Sequence, residues 1–133
     1  PLVFAEEGSF DHILIDAPCT GLGVVRRSPD IKYRRTEQDI AARSLIQGAL
    51  LDNLARYLKK GGTLVYSTCT FEPEETDEVV KAFLERNGGY CLEDAASVLP
   101  EGCAVLVDEK GFFRPFPHKH GMDGFFGARM RKL

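Results

Sequence analysis

Two apolar runs, at residues 12–15 (HILI) and 63–68 (TLVYST), lack the alternation of apolar and polar side chains that a strand with one wet face requires. Each therefore needs cover on both sides, and the pair points to internal strands of one sheet. The second run adds β-branched and aromatic residues that fit a pleated surface. Between them Thr36 stands three residues before Asp39, so its hydroxyl can cap a free amide where an acidic first turn meets the positive end of a helix. Ile40, Ala41, Leu45, Ile46, Ala49, Leu51, Leu54, Ala55 and Leu58 then recur at spacings of three and four, predicting one amphipathic helix that stops at Lys59-Lys60-Gly61-Gly62. A further helix is predicted from Pro73, with Glu74, Glu75, Asp77 and Glu78 at its favourable end and Val79, Val80, Phe83 and Leu84 on its buried stripe. Residues 103–107 and 124–130 are the remaining strand candidates. Strand, helix, strand, helix and then strands is the order of an α/β fold, expected here as a mostly parallel sheet with helices on both faces and right-handed crossovers.

At 133 residues the chain has room for one core. Its four cysteines, at 19, 69, 91 and 103, form no C-x-x-C pair, which argues for a reducing compartment and against a zinc knuckle. No apolar run approaches the roughly 20 residues of a membrane span, and the opening PLVFAEEGSFD has no basic leader. A cytoplasmic protein with no membrane partner is the expectation. The net charge of −3 hides a strong segregation: residues 26–35 carry +4 and residues 110–133 carry +5, on either side of a −8 body. The basic islands permit an anionic partner, although either is also explained as a solvated face.

Ligands of open α/β sheets lie beyond the carboxyl ends of the strands. Those ends here are Asp16-Ala17-Pro18-Cys19 and Ser67-Thr68-Cys69-Thr70, so adjacent parallel strands would deliver two thiols and a carboxylate to one cleft. Buried small hydrophobes and a dithiol redox centre remain alternatives for the cysteines. No regular ligand pattern joins them to His118 and His120, so no metal is expected. The Gly21-Leu22-Gly23 pair follows the wrong kind of segment to signal a nucleotide cofactor, and no Gly-rich turn precedes Asp16.

Three ordered segments carry a resemblance: DAPCTGLGVVRRSPDIKYRR at 16–35, YSTCTFEPEE at 66–75 and GFFRPFPHKHGMDGFFGARMRK at 111–132. Together they resemble the RsmB and NOL1/NOP2/Sun family of RNA cytosine-5 methyltransferases. The resemblance implies a partial Rossmann-like, S-adenosylmethionine-dependent methyltransferase fold acting on cytosine in RNA, with ribosomal RNA the expected partner. It assigns Cys69 as the covalent nucleophile and Cys19 as the residue that assists product release. It places Asp16 near both the cytosine edge and the cofactor, with Pro18 shaping the pocket. Arg26, Arg27, Lys32, Arg34 and Arg35 become candidate phosphate contacts, and His118 and His120 candidates for touching RNA or organising the cleft. Arg114, Lys119 and Arg129 mark a possible second basic surface, whereas the phenylalanines at 112, 113, 116, 125 and 126 are assigned first to core packing.

The family's Gly-rich D-x-x-A-A-P-G-G-K-T loop, which cradles S-adenosylmethionine, has no counterpart here. The resemblance therefore implies that residues 1–133 are the C-terminal portion of a catalytic domain whose N-terminal cofactor-binding portion is absent. Such a chain is expected to be inactive alone, with an exposed sheet edge that favours self-association. Two alternatives stand beside this reading. One is a DNA cytosine-5 methyltransferase, opposed by the position of the nucleophile, which in those enzymes lies in a proline-cysteine motif. The other is a catalytically silent RNA-binding or assembly domain.

Overall fold

The computed structural model describes residues 5–133, so the first four residues of the segment read as lacking a leader lie outside the described residues. In chain order the elements are β1 (Phe10–Asp16), α1 (Ile31–Arg34), α2 (Glu37–Ala55), β2 (Leu58–Thr68), α3 (Asp77–Arg86), β3 (Tyr90–Glu93), α4 (Pro117–His120) and β4 (Phe126–Lys132). Short 3-10 turns punctuate the loops. The four strands form one sheet in the order β1-β2-β4-β3.

The expected mostly parallel sheet is not what forms. Among the described residues only β1 and β2 pair in parallel; β4 runs antiparallel to both β2 and β3. β1, β2 and β3 thus share a direction, and one reversed strand inserted among them makes two of the three pairings antiparallel. The hydrophobic pattern could not reveal this, because a covered strand reads alike in either direction.

Register explains the layering. Ile13 and Ile15 lie opposite Leu64 and Tyr66, which lie opposite Met130 and Ala128, so one sheet face carries a continuous apolar band. Leu51 and Ala55 of α2 and Val79, Val80 and Phe83 of α3 join that band in a single buried cluster. The opposite face, with Leu14 and Val65, borders a cavity also lined by Ala95, Val98, Leu99 and Phe113 in place of the expected second layer of helix. As the end strand of the sheet, β1 leaves Leu14 69% exposed, so its run is not buried on both sides.

Several boundaries differ from expectation for identifiable reasons. Thr36 caps α2 as predicted, accepting from the Asp39 amide at 3.3 Å while the Asp39 carboxylate accepts from the Thr36 amide at 2.8 Å. The helix ends at Ala55, however, and Leu58 opens β2. Lys59, Lys60 and Gly61 form an irregularity in the strand, with Gly61 at φ 79° and Lys59 bonded to Asp11 at 3.0 Å. The stripe is also narrower than the spacing suggested: Leu45 is 77% exposed, and the buried residues are Gln47, Leu51 and Ala55. The helix expected from Pro73 is broken at Thr76 (φ −125°, ψ −98°), leaving a 3-10 turn at Pro73–Glu75 ahead of α3.

Residues 103–107 are not a strand but a 3-10 turn at Cys103–Leu106, with Val105 72% exposed and Gly102 turning the chain at φ 85°. The strand that does form, β3, is four residues long and is secured by ion pairs from Glu93 to Arg129 (2.7 Å) and Arg131 (2.5 Å) of β4.

Candidate active site

β1 and β2 end side by side, with Asp16 opposite Ser67 in the register and the Ala17 amide donating to the Ser67 carbonyl at 2.8 Å. The loops beyond them bring Cys19 and Cys69, fifty residues apart in sequence, to an Sγ···Sγ distance of 3.1 Å. Both cysteines are half-buried and free. The Cys69 amide also donates to Cys19 Sγ at 3.4 Å. The sequence-predicted pair is therefore in contact, and Asp16 stands exposed at the strand end beside it.

The contact polarises the two thiols. Hydrogen bonding from Cys69 lowers Cys19 to about 7 against the opposition of burial, with backbone amides of Cys69 and Gly21 assisting. Cys69 is held well above the ordinary thiol range, first by its bond to Cys19, then by burial and by the neighbouring negative charge of Cys19 and Asp16. The two sulfurs titrate as a pair, ionisation being favoured at Cys19 and opposed at Cys69.

Three loops interlock around these sulfurs. The Gly23 amide donates to the Cys69 carbonyl at 2.9 Å and the Gly124 amide to the Gly23 carbonyl at 2.8 Å. Gly124 in turn lies against the Phe71 ring, and Phe71 stacks on Phe116 with centroids 6.2 Å apart. His118 lies beside the Phe116 ring at 5.3 Å, and His120 Nδ1 accepts from the Phe116 amide at 2.9 Å, so the histidines border the Cys69 loop through aromatic packing. The Pro18 carbonyl accepts from Gln47 Nε2 at 3.0 Å, fastening the Cys19 loop to α2.

The arginines expected at a phosphate surface have internal partners. Arg26 donates to the Gly121 carbonyl at 2.7 Å, and Arg27 pairs at 2.6 Å with the nearly buried Asp123, so both brace the loop carrying Cys19 against the segment after α4. Arg27 nonetheless exposes 76% of its side chain. Lys32 lies over the Tyr33 ring at 4.8 Å. Arg114 is bound to Asp77 and Asp108, and Arg129 to Glu93. Of the phenylalanines, Phe112 and Phe126 are core residues, whereas Phe125 remains exposed.

Sequence reasoning missed the polar centre beneath the thiols. Glu75, read as one of four acidic residues at the favourable end of a helix, is fully buried. It accepts from the Thr20 amide (2.9 Å), the Thr20 hydroxyl (2.5 Å), Gln47 Nε2 (3.0 Å) and the Thr70 hydroxyl (3.3 Å). One signal was available: Gln47 precedes Leu51 by four residues and Ala55 by eight, a polar side chain on the buried face that demands a partner.

For S-adenosylmethionine the described residues offer the exposed Asp16 carboxylate but no cradle. Gly23, the nearest candidate, has the space of its missing side chain filled by the Gly124 and Cys69 carbonyl oxygens. The described residues supply two adjoining thiols and a carboxylate, and not a complete cofactor pocket. Among the described residues no group of three or more His, Cys, Asp or Glu side chains could hold a metal, and no helix is long and apolar enough to cross a membrane.

A family model described as 16S rRNA methyltransferase RsmB/F matches residues 2–131. A probable ribosomal RNA small subunit methyltransferase B of Bacillus subtilis (strain 168) is 45% identical over 130 residues, covering 96% of this chain and 28% of the relative. Among solved structures, PH0851 superposes with a TM-score of 0.84 at 33% identity, covering 95% of this chain and 27% of that one. NSun6 from Pyrococcus horikoshii, solved with SFG, gives 0.73 at 38% identity, covering 90% of this chain and 29% of its own. The chain thus spans under a third of the length of these relatives, and the fold is the Rossmann-like α/β type with a mixed sheet. Matched across nearly its whole length, the chain belongs to the RsmB/F family of 16S rRNA methyltransferases.

Proposed function

We propose that residues 1–133 are the C-terminal portion of the catalytic domain of a cytoplasmic, S-adenosylmethionine-dependent RNA cytosine-5 methyltransferase acting on ribosomal RNA. The observation that carries this reading is the 3.1 Å contact of Cys19 with Cys69 at the carboxyl ends of the one parallel strand pair. Cytosine C5 is a poor nucleophile, and a sulfur adding to C6 makes it a good one. Cys69 forms that C6–S bond, its proton passing across the contact to Cys19. The cofactor, held by parts of the longer protein, supplies an electrophilic methyl group to C5.

Cys19 returns its proton to solvent and, as the thiolate favoured in the resting pair, removes the C5 proton. The electrons of that C–H bond re-form the ring double bond and expel Cys69. Asp16, exposed at the end of β1, addresses the N3/N4 edge of the base and faces the cofactor side. Pro18 restrains the loop between them. Arg26, Arg27 and Lys32 contribute positive potential toward phosphates, and His118 and His120 border the base through Phe116. The chain alone is inactive, and its exposed β1 edge favours self-association.

Methylation of cytosine-containing ribosomal RNA by the full-length protein tests this reading. Cys69→Ala abolishes turnover and forms no adduct. Cys19→Ala removes the hydrogen bond that raises the Cys69 thiol, so Cys69 gives its proton to solvent and addition still occurs, while release fails and a protein–RNA adduct accumulates. Undiminished turnover in Cys69→Ala refutes the assignment.

A further inference from the structure

The chemistry above uses two thiols and an exposed carboxylate, and leaves out the most deeply buried acid of the described residues. All four side-chain bonds of Glu75 come from neutral donors, Thr20 twice, Gln47 and Thr70. A buried carboxylate without a cation is an expensive way to hold a core together, and an apolar side chain of similar volume would do that at least as well. What an apolar residue cannot do is join these particular groups. Thr20 directly follows Cys19 and Thr70 directly follows Cys69. One carboxylate oxygen takes the Thr20 amide and Gln47, and the other takes both threonine hydroxyls, which lie 3.2 Å from each other.

The position of Glu75 is itself determined on several sides. Its carbonyl accepts from the Tyr66 hydroxyl at 2.8 Å and its amide donates to Glu72 at 3.0 Å. The 3-10 turn ahead of the break at Thr76 carries its side chain into the core, four residues before buried Val79. A planar, two-oxygen acceptor anchored to β2 thus reaches both cysteine loops and α2 at once.

We propose that Glu75 is a positioning residue, which clamps Thr20 and Thr70 in one buried network and thereby sets the separation of Cys19 from Cys69. The inference rests on the reading of these cysteines as the reacting pair, but its test needs neither RNA nor cofactor. Dilute hydrogen peroxide reports the separation directly. One thiolate attacks peroxide to give a sulfenic acid, and the second thiol displaces water from it, so two thiols and one peroxide become one disulfide and two waters. The rate of the Cys19–Cys69 cross-link is followed by peptide mass mapping. The alkylation midpoint of Cys19 is measured alongside, and folding is checked by circular dichroism.

Glu75→Ala slows cross-linking roughly tenfold or more, because ångström-scale misplacement costs a well-oriented pair up to about a hundredfold. Thr70→Val removes a single hydroxyl at nearly constant volume, leaves the Glu75 charge in place, and keeps the test open if Glu75→Ala does not fold. It slows cross-linking severalfold and moves the Cys19 midpoint upward from about 7 toward the ordinary 9.0 as Cys69 withdraws. Glu75→Gln, which keeps one acceptor oxygen, falls between wild type and Glu75→Ala. If folded Glu75→Gln and Thr70→Val melt at lower temperature yet cross-link at the wild-type rate with an unchanged Cys19 midpoint, Glu75 is structural only and the proposal is overturned. That failure leaves the methyltransferase reading standing. Conversely, normal turnover in Cys69→Ala removes Cys69 as the nucleophile, while the cross-linking rates still report whether Glu75 sets the separation of the two sulfurs.

Discussion

Substitution of Gly23 by alanine isolates the loop packing around the thiols, because this glycine has no positive φ and the backbone suits any residue. The obstacle is space alone. An added Cβ overlaps the Gly124 carbonyl oxygen outright and lies 2.8 Å from the Cys69 carbonyl oxygen, against an ordinary carbon–oxygen contact of roughly 3.3–3.6 Å. Both obstacles are main chain, so no rotamer change relieves them, and the loops must separate.

Separation strains the Gly23-to-Cys69 and Gly124-to-Gly23 hydrogen bonds, at 2.9 and 2.8 Å. Overpacking costs about 1–3 kcal/mol and each lost bond about 0.5–1.5, for a total of roughly 2–6 kcal/mol. At about 4 °C per kcal/mol for a chain of this size, a mid-range loss of about 4 kcal/mol lowers the melting temperature by roughly 15 °C. Because Cys69 is one of the displaced residues, its bond to Cys19 weakens and the Cys19 alkylation midpoint rises. Thermal melting followed by circular dichroism and an iodoacetamide pH series measure both effects. A Gly23→Ala chain that melts within about 2 °C of wild type, with the same Cys19 midpoint, refutes the close-packed arrangement of the three loops.

In the unmodified chain, alkylation of Cys19 rises with pH around a midpoint of about 7, since a lowered value places the thiolate above that pH; mapping of the modified peptide distinguishes it from Cys91 and Cys103. Thr36→Ala removes the side-chain half of the α2 capping box, leaving the main-chain amide at position 36 to donate to Asp39, and costs about 1 kcal/mol in a denaturant titration. Burial raises Asp77, but hydrogen bonds from Lys110 and Arg114 outweigh it and hold the carboxyl below its ordinary 3.8. Its contribution to stability is therefore complete above pH 3.8 and is lost as pH falls through the lowered value. Arg114→Met makes that acid loss smaller, as read from stability at pH 5 and at more acidic pH. Phe126→Ala empties a site against Tyr66 and Phe112 and costs about 3–5 kcal/mol by the same titration.

Local chemistry was legible in the sequence wherever it depends on near neighbours along the chain. The Thr36 cap, the existence of α2, the apolar stripe of α3 and the two strands ending beside Cys19 and Cys69 all follow from periodicity and turn residues. The motifs surrounding those cysteines were sufficient to place the chain in its family. What periodicity cannot carry is direction and pairing. A covered strand has the same composition whichever way it runs, so the reversed insertion of β4 escaped notice, as did β3, whose four residues depend on Arg129 and Arg131 across the ladder. Residues 103–107 had the composition of a strand, but Gly102 turns the chain into a 3-10 turn that leaves Val105 in solvent.

The same limit applied at the site. Sequence order supplied two thiols at two strand ends. Folding decided that they touch at 3.1 Å, that Arg26 and Arg27 are tied to Gly121 and Asp123, and that Glu75 turns inward between Thr20 and Thr70. These contacts join residues 5 to 96 positions apart, and such pairings are selected by the shape of the closed core. The sequence by itself determined which chemistry was on offer; only the tertiary structure decided which groups titrate as a pair and which carboxylate holds them in place.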